Sequence, residues 1–113
     1  MSASTATRAQ SSSLDGVFHA LADPTRRSML AALAKGPASV SELAEPFEVT
    51  LASIVQHLAI LEDVGLITTK KEGRVRTCRL ESKGLRTAEE WVAGRRTLWE
   101  QRLDRLQVVL EES

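Results

Sequence analysis

Lys70, Lys71, Arg74 and Arg76 crowd one short stretch of the chain. They belong to residues 65–86, a segment with seven Lys/Arg and two Asp/Glu, a balance of +5. The flanking segments carry −3 (residues 1–64) and −2 (residues 87–113), and the formal net charge of the whole is zero. A local positive field of this kind attracts polyanions; the alternative is an ordinary solvated hairpin. Just upstream, Thr50, Leu51, Ala52, Ser53, Gln56 and His57 open an apolar-periodic run. The Gln56 amide can pair bidentately with adenine in a major groove, and Ser53 can bond a base or a phosphate. Leu51 and Ala52 suit thymine methyl groups. The alternative for Leu51 is a place in the core. His57 reads either as a phosphate contact or as a packing and capping residue.

Other chemistry has little to work with. Two histidines, His19 and His57, and one cysteine, Cys78, are scattered over 113 residues. They cannot build a four-ligand zinc site within one subunit, and Cys78 cannot form an internal disulfide. Nucleophile and base candidates are equally scarce, so no enzyme, metal or cofactor is expected. Cys78 reads as a small buried hydrophobe. The alternative is a redox-responsive thiol whose pKa Arg76 and Arg79 lower. No apolar run approaches the roughly 18 residues of a membrane helix. The N-terminus also lacks a secretory apolar core. A cytoplasmic protein without a membrane partner is expected.

The elements that must position these residues follow from periodicity. The length predicts one domain, and 42% hydrophobic with 27% charged residues predicts a globular one. Residues 1–12, rich in Ser, Thr and Ala, are expected to form a disordered tail ahead of a folded domain over 13–113. Leu14, Val17, Phe18 and Leu21 lie on one face of a first helix ending near Ala22. Asp23-Pro24 supplies an N-cap and a first-turn proline for a second helix, about Pro24 to Lys35. Met29, Leu30 and Leu33 face inward from it, and Gly36-Pro37 stops it. Ser39 with Glu42 is a capping box for a short third helix carrying Val40, Leu43, Ala44 and Phe47. Thr50 caps a fourth, about Leu51 to Val64, with Leu51, Ile54, Val55, Leu58, Leu61 and Val64 as its apolar set and Gly65 as its terminator.

Beyond Gly65 the period changes. Leu66–Lys70 and Val75–Leu80 read as two strands around a charged turn, Lys71-Glu72-Gly73-Arg74. From about Ser82 to Glu111 helical periodicity returns, with Leu85, Val92, Trp99 and Leu106 seven residues apart and Trp91, Leu98, Leu103 and Leu110 beside them. Unbroken, this helix is roughly 40 Å long, more than so small a globule can cover. Its second half therefore requires another chain, and Leu14, Phe18 and Leu21 can add to that surface.

The expected fold class is mainly α with a small β-hairpin. It is a winged helix-turn-helix, homodimeric through a long C-terminal helix. The helix-turn-helix spans 39–64, the wing 66–80 and the dimerisation helix 82–111. Three stretches carry a resemblance: Leu21-Ala22-Asp23-Pro24-Thr25-Arg26-Arg27, Val40-Ser41-Glu42-Leu43-Ala44, and His57 through Ile67. In this order they resemble the ArsR-type family of bacterial winged-helix repressors, over about residues 14–110. The tail from Glu90-Trp91 to Leu106 resembles a metal-free branch of it.

The resemblance implies a homodimer that binds an operator palindrome in double-stranded DNA, usually to repress its own operon. It implies that Lys70, Lys71, Arg74 and Arg76 grip the DNA backbone or minor groove. Val55 departs from the family, which usually has Ser there. Arg26 and Arg27 match a family pair, with a salt bridge to an acidic neighbour as the alternative. An unknown small-molecule effector stays open. The rival reading is a winged-helix protein-interaction module without DNA binding.

Overall fold

In a computed structural model, residues 13–112 are described; the expected tail over 1–12 falls outside them. A first helix, α1, covers residues 13–21 and buries Val17 and Ala20. The chain then turns through Asp23, whose carboxylate accepts the Arg26 N–H at 2.9 Å and so caps α2, Pro24–Leu33. A two-residue strand, β1 (Ala38–Ser39), leads into α3, Val40–Ala44. Both halves of the capping box are formed: Glu42 N–H to Ser39 Oγ and Ser39 N–H to Glu42 Oε1, each 3.1 Å. These bonds satisfy two of the donors that a helix start leaves open.

The longer helix α4, Leu51–Asp63, begins at Thr50, whose hydroxyl accepts from Ser53 N–H at 3.1 Å. Gly65 ends it with φ of +75°, a left-handed conformation that glycine adopts without steric cost. Strands β2 (Ile67–Glu72) and β3 (Val75–Leu80) pair antiparallel, and β1 adds to the other edge of β3, giving the order β1-β3-β2. The sheet therefore has three strands where the sequence suggested two, because Ala38 and Ser39 pair with Cys78 and Thr77. The expected four-residue turn is also narrower. Lys71 and Glu72 lie in β2 opposite Arg76 and Val75, leaving Gly73-Arg74 as the loop. Gly73 takes φ of +64° and Arg74 stays negative, the combination of a type II′ hairpin turn.

The core gathers Val17, Met29, Leu33, Leu43, Ile54, Leu58, Leu61, Leu66, Ile67 and Cys78, with Ala38 of β1 packed against it. Each large apolar side chain so buried contributes about 1.5–3 kcal/mol. The last helix, α5, runs unbroken over Ser82–Glu112, 31 residues, straight through Gly94. Only Gly84 and Ala88 of it are buried, and every residue from 89 to 112 is exposed. Gly84 packs directly on the end of α4: a Cβ there would lie 2.3 Å from the Val64 carbonyl oxygen. Extents of 67 × 40 × 21 Å reflect a helix projecting past the globule.

Candidate nucleic-acid interface

Helix α4 is two-faced. Ile54, Leu58 and Leu61 anchor it in the core, while Leu51, Ala52, Val55, Gln56 and Ala59 face outward. Leu51 is 59% exposed and Val55 50%, so neither belongs to the buried set that periodicity suggested. Ser53 is half-buried beside the Thr50 cap, and the Thr50 hydroxyl is already engaged as an acceptor. The wing flanks this surface. A hollow of about 570 Å³ opens between Leu51 and Val55 of α4, Ser41 of α3, and Lys71, Arg74 and Arg76 of the wing. Lys70 pairs with Glu72 at 3.6 Å on the surface. Among the described residues Lys71, Arg74 and Arg76 have no ion-pair partner. The hydroxyl of Thr69 donates to Glu62, tying the base of the wing to the far end of α4.

His57 sits elsewhere. Its side chain is 20% exposed and its Nδ1 lies 3.2 Å from a guanidinium nitrogen of Arg26. A guanidinium only donates, so Nδ1 accepts. The ring joins α4 to the start of α2, the contact that the packing alternative calls for. Arg26 is 7% exposed and donates to two α1 carbonyls, Ala20 at 2.8 Å and His19 at 3.0 Å. Arg27 donates to a third, Leu21. In place of the salt bridge that the sequence offered as the alternative, the two arginines bond carbonyls at the end of α1. The backbone N–H of Arg26, with the Arg26 charge behind it, lowers the Asp23 carboxyl below the ordinary range against a smaller opposing effect of burial.

Cys78 is fully buried between Ala38 and Thr69. Burial raises its pKa, and the opposing influence of Arg76 is smaller. The buried setting is that of the small-hydrophobe reading, and burial outweighs the arginine effect on which the alternative of a redox-responsive thiol rests. No group of three or more His, Cys, Asp or Glu among the described residues could hold a metal ion. No described helix is long and apolar enough to cross a membrane.

The candidate dimer residues divide between two settings. Leu14 and Leu21 on α1 are half-buried, and Phe18 meets Trp91 of α5 edge to face, centroids 5.8 Å apart. Leu85, Val92, Trp99, Leu103, Leu106 and Leu110 are all exposed, Trp99 at 58%. Val108 and Val109 are exposed with them, residues that the heptad count passed over. A groove lined by Phe18, Leu21, Leu85 and Val92 joins the two helices. A neighbouring hollow of about 690 Å³ lies among Leu21, Leu30, Leu66, Leu80 and Leu85. Sequence reasoning missed Ala59 on the outer face of α4, Val75 on the wing, the capping role of Arg26, and Gly84. Only Gly84 carried a signal, a glycine at the start of a strong helix.

This arrangement, a short helix, a turn, a two-faced helix and a basic hairpin, is that of DNA-binding winged-helix proteins. A family model described as a helix-turn-helix domain matches residues 21–70. The chain is 38% identical over 71 residues to the HTH-type transcriptional regulator Rv2034 of Mycobacterium tuberculosis, covering 63% of this chain and 66% of that one. It is 32% identical over 79 residues to the transcriptional repressor SdpR of Bacillus subtilis, covering 70% and 88%. Among solved structures, an ArsR family transcriptional regulator is 52% identical with a TM-score of 0.76, covering 79% of this chain and 92% of that one. An ArsR-like regulator from Rhodococcus sp. RHA1 is 30% identical with a TM-score of 0.73, covering 87% and 92%. The chain is a DNA-binding transcriptional regulator of winged helix-turn-helix fold. It belongs to the ArsR family.

Proposed function

We propose that the chain is a homodimeric repressor that binds an inverted-repeat operator, including one at its own promoter. The observation that carries this is the placement of three wing cations, Lys71, Arg74 and Arg76, around the outward face of α4, with no ion-pair partner among the described residues. In this reading α4 enters the major groove, with Gln56 on a base edge and Ser53 and Thr50 near the backbone. Lys70, Lys71, Arg74 and Arg76 hold phosphates beside it, which fixes register and adds little sequence information. The exposed stripe Leu85, Val92, Trp99, Leu103 and Leu106, with α1, pairs two copies and sets the distance between half-sites. The protein is cytoplasmic, acts without a metal or cofactor and is not an enzyme; any effector binds a regulator, not a catalyst.

A gel shift with DNA from upstream of the chain's own gene, at two salt concentrations, tests the reading. A discrete complex that weakens at the higher salt supports it. No complex at low salt contradicts it and favours a module that binds proteins.

A further inference from the structure

The outward face of α4 is unusual in its chemistry: of Leu51, Ala52, Val55, Gln56 and Ala59, only Gln56 is polar. Leu51, Val55 and the wing residue Val75 are 59%, 50% and 52% exposed. All three line one hollow together with Lys71, Arg74 and Arg76. Exposed apolar side chains gathered on one face mark a surface that meets a partner. The three cations around them select a polyanion over a protein. The one apolar group that base edges offer in the major groove is the thymine C5 methyl.

We propose that Leu51 and Val55 read thymine methyl groups in each half-site, with Val75 closing the hollow from the wing side. This rests on the DNA-binding reading above and names what is read. Leu51 and Val55 are one helical turn apart, about 6 Å along the axis. Bases along one strand rise about 3.4 Å each. The two side chains therefore meet thymines one or two steps apart, and Gln56 beside them takes an adenine. The half-site is accordingly A·T-rich at its centre.

The full-length chain is used to select duplexes from a random pool, and anisotropy titrations then compare the selected duplex with a copy carrying deoxyuridine in place of its half-site thymines. Uracil keeps every hydrogen-bonding group and lacks only the methyl. The expected loss is about fourfold per methyl removed, the equivalent of one buried carbon. Leu51→Ala and Val55→Ser, both at exposed positions, weaken binding to the thymine duplex and change binding to the uracil duplex little. Equal affinity for the two duplexes overturns methyl reading and leaves DNA binding intact. A chain that retains no duplex overturns both and makes the apolar face a protein contact.

Discussion

The backbone N–H of Gly84 donates to the carbonyl oxygen of Gly65 at 2.8 Å. One bond thus fastens the first turn of the proposed dimerisation helix to the terminator of the proposed recognition helix. The two helices meet there through backbone alone, at a contact too close for a side chain. Gly84→Ala places its methyl 2.3 Å from the Val64 oxygen, so one helix must move. The expected cost is about 2–4 kcal/mol. Gly94, in the same helix, has open space where a methyl group would stand, with nothing within 4 Å. Gly94→Ala should gain about 0.5–1 kcal/mol from helix propensity alone. Urea unfolding of the two variants should move the midpoint in opposite directions; a shared direction would contradict the packing at Gly84.

Arg26 and His57 should behave as a structural pair. Arg26→Ala removes the buried donor to the Ala20 carbonyl and one of the two donors to the His19 carbonyl, at a cost of about 1–3 kcal/mol. Arg26→Lys restores charge but not the fork of donors, and should recover only part of it. His57→Ala should lower stability while leaving the salt dependence of DNA binding unchanged. A reduced salt slope for His57→Ala would return the ring to the phosphates.

Acid should loosen the junction of α1 and α2. The Asp23 carboxyl is held below its ordinary value, so its ionised form is favoured by folding. A depressed carboxyl contributes stability that is present above its unfolded pKa and lost as pH falls through the folded one. Glu42 in the capping box is lowered in the same sense, by its bonds to Ser39. Stability should therefore fall below the ordinary carboxylate range. Asp23→Asn and Glu42→Gln should each flatten that part of the profile in thermal melts at a series of pH values. Parallel profiles for both variants and the parent would contradict these assignments.

Assembly should depend on the projecting part of α5. Trp99→Glu or Leu106→Glu introduces a charge at an exposed position, where an isolated chain would tolerate it. Sedimentation should show both variants as monomers that still fold by circular dichroism, with operator affinity lost in step. A variant that stays dimeric removes its residue from the interface.

Much of the fold is local and was legible for that reason. Asp23-Pro24, Ser39 with Glu42, and Thr50 each announce a helix start through bonds within a few residues, and those bonds are formed. What stayed hidden depends on distant partners. Ala38 and Ser39 are a strand only because β3 offers them an edge. Periodicity groups Leu51 and Val55 with the apolar set of α4 but cannot tell a solvent face from a core face. Arg26 looks like a surface charge in the sequence; its burial follows from the end of α1 arriving beside it with open carbonyls. Cys78 has both a packing and a reactive reading, and its depth in the sheet separates them.

The proposed division of labour, α4 reading bases and the wing holding phosphates, is tested most directly by two variants in one salt series. Arg74, on the tip of the wing, and Gln56, on the outward face of α4, are both exposed. Anisotropy titrations are made on operator and scrambled duplexes. Arg74→Ala should weaken both duplexes about equally and reduce the salt slope by about one unit. Gln56→Ala should cost about 1–3 kcal/mol on the operator and little on the scrambled duplex. Equal weakening of both duplexes by Gln56→Ala, or an unchanged affinity and slope for Arg74→Ala, would contradict the assignment.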